Sequence, residues 1–340
     1  MNLQVILRRF AIATAVLVVL LVLAFAIVVQ SSDFTPARWT PGPYTQNTRN
    51  TALREARPVG DETLSGPEDV AIDSRGHILA GTVDGAIWRA DLNAETPRFE
   101  RFASVGGRPL GLVVGADDVL YVANHGIGLQ AVSPDGQVRR LLTEVDGTPI
   151  LFANDLAIDT DGVIFFSDSS SRYNFSTIGV QGTYGVPDLL EGRPFGRVIR
   201  FDTRSGAASV LAEGLYFPNG IAISRDGRSS GLGDGRMLLA AYHRTPVLDE
   251  GVLPSWFMRH FMSRLPNSFF TLNAPNGFVA VIDDQTGEVL QEFHGGKGEA
   301  AAPANAVLWR GELFSGTLFG SAVSRIRLPI EPPLTQASAD

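Results

Sequence analysis

The sequence predicts an all-β domain, a β-propeller of about five countable blades, carried behind an N-terminal transmembrane helix. Three features lead there: a repeating unit, turn chemistry inside each unit, and an uncharged run near the N-terminus. The unit begins with a Gly or Pro step into a short apolar strand, passes an Asp-Gly type of turn, and continues into a second strand rich in Val, Ile, Phe and Tyr. Copies start at Gly66 (GPEDVAIDSRGHILAGTVDGAIWRAD), Arg108 (RPLGLVVGADDVLYVANHG), Phe152 (FANDLAIDTDGVIFFSDSS), Phe217 (FPNGIAIS) and Pro303 (PANAVLWRGELFSGTLFG). Period-2 alternation around such turns specifies hairpins, and four strands in 40 to 45 residues is the signature of a propeller blade.

One aligned apolar position tests the spacing. Val70, Leu112, Leu156, Ile221 and Val307 are separated by 42, 44, 65 and 86 residues. The third interval carries an insertion over 172–195. The last is long enough for two blades, yet strands for only one are legible: 221–224 innermost, then 237–242, 277–282 and 289–293. Residues 254–266 between them are amphipathic if helical, with Trp256, Phe257, His260, Phe261 and Leu265 near one face. Such a helix would pack over the propeller edge, act as a lid, or dip into a bilayer.

Residues 10–29 form 20 consecutive uncharged positions, enough for a helix of about 1.5 Å rise per residue to cross a hydrocarbon core about 30 Å thick. Arg8 and Arg9 precede them, which places residues 1–9 in the cytoplasm and the rest beyond the membrane. The expectation is a single-pass protein with an extracytoplasmic propeller, in the periplasm or at the cell surface of a bacterium, or in the lumen or exterior of a eukaryote. Ala24-Phe25-Ala26 resembles a signal-peptidase site, but the apolar core is long for a cleaved signal. A polar linker is expected over 30–64, the propeller over 65–330 and a tail over 331–340.

Composition narrows function. The net charge is −8 and no basic stripe follows the N-terminus, which argues against nucleic acid as a partner. The chain has 0 cysteines, so thiolate metal sites and cysteine nucleophiles are excluded. Gly227-Arg228-Ser229-Ser230-Gly231 matches G-x-S-x-G in form but sits among turn residues, without the strand and helix a nucleophile elbow needs.

In a propeller, equivalent inner-strand positions converge on the central channel. The residues two before the aligned apolar position are Glu68, Leu110, Asn154, Asn219 and Asn305. One carboxylate with several amide oxygens suits a hard cation such as Ca²⁺. The same side chains would equally serve to cap strands or bond neighbouring blades.

GPEDVAID, GRPLGL, FANDLAIDTDGVIFFSDSSSRY, FPNGIAIS and SGTLFGSAV together resemble the strictosidine synthase-like family across roughly residues 60–328. More distantly they resemble the gluconolactonase/senescence-marker and paraoxonase families of six-bladed, calcium-dependent propellers. The resemblance implies Ca²⁺ or another divalent cation on the axis, held by Glu68, Asn154 and Asn219. It also exposes three departures. The Pro-Asp-Asn ligand motif expected some 40 residues after PNG is missing with a blade-sized block. Leu110 replaces one His of the paraoxonase dyad, leaving His125 to match the other. Asn305 stands where strictosidine synthase has its catalytic Glu, which removes a Pictet–Spengler reaction. What the resemblance then implies is a divalent-metal-dependent hydrolase of small-molecule lactones or esters, with His125, Asp155 or Asp168 accepting a proton. For the two aspartates the competing role is to satisfy turn backbone. The alternative function is a catalytically inactive, membrane-anchored propeller serving as a binding module.

Overall fold

The computed structural model describes residues 3–30, 33–39, 50–60, 63–174, 185–223, 236–242, 247–265, 277–283, 286–295, 303–317 and 320–330. Helix α1 (Leu3–Gln30) has no Gly or Pro to interrupt it, and its span Gln4–Ile27 is long and apolar enough to cross a membrane.

Strand β1 (Arg57–Val59) precedes five main sheets, all antiparallel. The first contains β2 (Val70–Ile72), β3 (His77–Gly81), β4 (Ala86–Asp91) and β5 (Glu100–Ser104). The second contains β6 (Arg108–Val114), β7 (Leu120–His125), β8 (Gly128–Val132) and β9 (Val138–Leu142). After a small hairpin, β10 (Glu144–Val145) with β11 (Thr148–Pro149), the third contains β12 (Ala153–Ile158), β13 (Val163–Asp168), β14 (Gly196–Asp202) and β15 (Ala208–Leu215). The fourth has three strands, β16 (Arg236–Tyr242), β17 (Gly277–Asp283) and β18 (Val289–His294). The fifth contains β19 (Val307–Trp309), β20 (Glu312–Ser315) and β21 (Val323–Ile326), with β1 added beyond β21.

These sheets are propeller blades: among the described residues four of the five junctions between consecutive sheets are packed face to face. Ala71, Leu79 and Ile87 of the first meet Leu112, Leu120 and Val122 of the second. Tyr121, Ala123 and Leu129 of the second meet Leu156, Ile164 and Phe166 of the third. Val279, Val281 and Phe293 of the fourth meet Leu313 and Ile326 of the fifth. Val70, Ile78 and Ala80 of the first pack with Phe314 and Val323 of the fifth. A sheet covered on both faces needs apolar residues on both, which is why strands such as β7 are buried along their whole length.

Five blades among the described residues agree with the sequence count, and the strands expected over 237–242, 277–282 and 289–293 form. Residues 221–223 do not form a strand among the described residues, and Ser224 lies outside them, as does the G-x-S-x-G stretch. The expected linker over 30–64 is corrected in part. Its residues 57–59 become the outer strand of the last blade, pairing Arg57 with Arg325 and Val59 with Val323, while Leu53 and Val59 are buried. A strand of three residues is too short for periodicity to reveal it; the open edge of β21 selects it.

Two short helices cap one edge: α2 (Val186–Glu191), inside the insertion, and α3 (Trp256–Met262), whose first turn is capped by the Ser255 hydroxyl accepting from Met258 N at 3.2 Å. The expected face of α3 is corrected: Arg259 and His260 point inward while Trp256, Phe257 and Phe261 point outward.

A chain starting at residue 61 loses Leu53, Val59 and the partner of β21, whereas one starting at residue 50 keeps them. Burial of two such side chains contributes roughly 3–6 kcal/mol. Denaturant titration is expected to give a cooperative transition for the chain from residue 50 and a broad, aggregation-prone one for the chain from residue 61.

Candidate functional site

The inner strands are held level by two aspartates. Asp69 Oδ1 accepts from Val70 N at 2.7 Å and Oδ2 accepts from Leu112 N at 2.6 Å, reaching from the first blade to the second. Asp155 repeats the device: Oδ1 accepts from Leu156 N at 2.8 Å and Oδ2 from Ile221 N at 2.8 Å. Asn305 completes the turn of the ring, donating from Nδ2 to Asp69 Oδ1 and to Val70 O while its own Oδ1 accepts from Gly316 N. The blade-bonding role thus falls to Asn305 and to the residues that follow Glu68 and Asn154. Close approach of β6 to β12 requires Gly111, since a Cβ there would lie 2.6 Å from Asn154 O.

Glu68 takes no part in this bonding. It is 8% exposed, and its Oε2 receives no hydrogen bond among the described residues; the Arg108 guanidinium lies 3.7 Å away. Arg108 Nη2 donates to Gly66 O at 2.7 Å. Desolvation raises the Glu68 carboxyl to about 7, opposed by Arg108 and reinforced by Asp155. Desolvation also raises Asp155 to about 6 and Asp69 well above the usual carboxylate range, with Asp155 adding to the shift of Asp69. Glu68, Asp69 and Asp155 therefore feel one another's charge at one end of the channel.

Asn154 is buried, and its Nδ2 donates to Ser169 Oγ at 3.0 Å, an orientation that leaves its carbonyl oxygen for another partner. Ser169 Oγ donates onward to Pro218 O at 2.5 Å, and Ser167 Oγ donates to Asn219 O at 2.6 Å. The serines of the SDSSS stretch thereby tie the PNG turn to β12, and this is how Asn219 is brought to the level of Asn154. Asn219 itself is exposed. No group of three His, Asp or Glu side chains among the described residues is arranged to hold a metal ion. A cation at this place would draw on one carboxylate and amide oxygens. An unsatisfied buried carboxylate beside a second acidic group fits that demand, because a cation offsets both desolvation and repulsion.

The three candidate proton acceptors have different surroundings. Asp168 accepts from Phe152 N at 2.8 Å and pairs with Arg197 Nε at 2.9 Å, while Arg197 also donates to Thr148 O and Pro149 O. Both oxygens of Asp168 therefore lock the third blade together. His125 is buried against Phe152, ring centroids 3.9 Å apart, and burial with the nearby Arg108 charge lowers its pKa to about 3. It is neutral across the physiological range. Asp155 retains a second lone pair on each oxygen and lies in the field of Glu68.

Beside this polar end is an apolar cluster that sequence reading did not assemble. Leu110 and Phe152 are fully buried, with Tyr173 and Phe217 packed on them. Phe152 and Phe217 meet edge to face at 5.2 Å. The only signal was Leu110 standing where a polar residue was looked for. Arg108, too, was missed, since its approach to Glu68 spans two blades.

The geometry defines a β-propeller. A gluconolactonase from Xanthomonas campestris matches the fold with a TM-score of 0.53 at 17% identity, over 82% of this chain and 92% of that one. In sequence the chain is similar to the strictosidine synthase-like family. The model described as "Strictosidine synthase-like, N-terminal" matches residues 42–90, and that described as "Strictosidine synthase" matches residues 154–231. Protein strictosidine synthase-like 4 of Arabidopsis thaliana is 35% identical over 178 residues, 51% of this chain and 46% of that protein. The human adipocyte plasma membrane-associated protein is 34% identical over 194 residues, 52% of this chain and 44% of that protein. The chain spans about half the length of the curated relatives it matches.

Two stability measurements follow. Arg197→Met strands the buried Asp168 carboxylate and is expected to cost about 3–5 kcal/mol in denaturant unfolding. Glu68 binds a proton in the folded chain at pH values where the unfolded chain has lost it, so stability falls as pH rises from about 4.5 to about 7. In chelator the loss from this group is on the order of 3 kcal/mol, and Glu68→Gln is expected to flatten that part of the curve.

Proposed function

We propose that the chain is a divalent-metal-dependent hydrolase of lactones or esters, with its site at the Glu68 end of the channel. The observation that carries this reading is the buried Glu68 carboxylate, without a hydrogen bond on Oε2 among the described residues, beside the apolar cluster of Leu110, Phe152, Tyr173 and Phe217. Glu68, Asn154 and Asn219 would hold the cation. When bound, the cation supplies polarisation of a carbonyl and acidification of water.

The remaining work belongs to the chain. Tyr173 and Phe217, the half-buried residues packed on Leu110 and Phe152, meet the acyl or ring portion of the substrate, and the buried pair backs them. Asp155, raised to about 6 but ionised at neutral pH, is the preferred proton acceptor of the three candidates. His125 stays neutral and positions Phe152 by packing, and Asp168 serves through its hold on Phe152 N. Ca²⁺ is the favoured ion because the donors are all oxygen.

The test is hydrolysis of a phenyl ester and a γ-lactone by the detergent-solubilised full chain. Turnover is expected to vanish in chelator, return with Ca²⁺, and fall about ten- to a hundredfold or more in Glu68→Gln, which takes the one carboxylate from the cation. Turnover indifferent to chelator would refute the metal role, and none under any condition would refute the hydrolase.

A further inference from the structure

We propose that the outer face of α3, built from Trp256, Phe257 and Phe261, lies in the surface of the bilayer that α1 crosses. The first argument is the reversed amphipathicity of the helix. Trp256, Phe257 and Phe261 are 52%, 53% and 42% exposed, whereas Arg259 and His260 are 3% and 2% exposed. Arg259 is drawn inward by carbonyl groups: its guanidinium donates to Leu190 O at 3.2 Å and to Ala37 O. His260 packs on Phe34 and Trp256. With the polar side chains consumed inside, three aromatic rings and the neighbouring Leu189 are left outward, a face that water disfavours and an interface accommodates.

The second argument is that this face is not free to leave the membrane. Residues 33–39, directly after α1, are fastened to α2 through one buried carboxylate. Glu191 Oε1 accepts from Thr35 N at 3.0 Å and from Thr35 Oγ1 at 3.3 Å, Glu191 O accepts from Ala37 N at 2.8 Å, and Arg193 Nε donates to Thr35 O at 2.6 Å. Phe34 is buried with Leu190, Val252 and Leu253. Only residues 31 and 32 separate α1 from this fastened segment, a reach of roughly 10 Å when extended. Near the end of the apolar span, the Phe25 ring sits 5.0 Å from that of Phe257, so the aromatic face continues the surface of α1.

The third argument is chemical. Exposed Arg38, Arg193 and Arg264 lie on the fastened segment, just after α2 and just after α3. Aromatic rings flanked by arginines are the composition that settles at a headgroup boundary, with the guanidinium groups on anionic lipid. The same Glu191 also accepts from the Tyr173 hydroxyl at 2.6 Å, which joins the docked edge to the apolar cluster. On the function proposed above, esters dissolved in the bilayer reach that cluster directly; the docking does not depend on the activity.

The chain has 0 cysteines, so a single Phe261→Cys or Phe257→Cys carries one fluorescent or spin label. The full chain is reconstituted at high lipid excess in vesicles of phosphatidylcholine and phosphatidylglycerol, with a label at exposed Leu211 of β15 as the control. Brominated acyl chains are expected to quench labels at 257 and 261 at least about twofold more than the label at 211. Equal quenching at all three positions would overturn the proposal, as would immobilisation of labels 257 and 261 without lipid quenching, which would assign the face to a second copy of the chain. Vesicles lacking phosphatidylglycerol are expected to lower the quenching at 261, because the arginine rim loses its anionic partners.

Discussion

Everything at the channel end of this propeller depends on carboxylates that reach from one inner strand to the next. Asp69 and Asp155 each spend one oxygen on the N–H of the following residue; the other reaches Leu112 of β6 from Asp69 and Ile221, in the segment after β15, from Asp155. A buried peptide N–H without a partner is costly, so these bonds remove a desolvation cost while they tie the first blade to the second and β12 to the PNG turn. The residue just before each aspartate, Glu68 or Asn154, is then carried to the same level. The residues that bond the blades and the proposed cation ligands are thus offset by one position.

That arrangement crowds acidic groups in a poorly solvated place. Burial dominates the shift of Glu68, and Arg108 at 3.7 Å opposes it without forming a hydrogen bond on Oε2. A buried charge left partly unsatisfied is expensive, and such expense is tolerated where a ligand can offset it. The apolar cluster of Leu110, Phe152, Tyr173 and Phe217 beside it keeps the local dielectric low, which strengthens whatever the carboxylate holds.

The cap formed by α2 and α3 links this end to the segment that follows α1. Glu191 gathers Thr35, Tyr173 and Arg172, whose Nε lies 2.9 Å from Oε2, so one buried side chain joins the segment after α1 to the rim of the apolar cluster. The insertion that stretches the third repeat thereby has a positional role.

Repeats with Asp-Gly turns determined the blades, and an unbroken apolar run determined α1, because both are local patterns of period and length. Glu68, Asn154 and Asn219 were legible as equivalent points of a repeat. What the sequence alone left open was which polar residues bond blade to blade and which face the axis; Asp69, Asp155 and Asn305 take the first role only once neighbouring strands are in place. The strand at 57–59, the inward turn of Arg259 and His260, and the approach of Arg108 to Glu68 were likewise decided by tertiary structure. Each depends on an open edge, a carbonyl or a carboxylate supplied by a segment distant in sequence, and no local periodicity records such a partner.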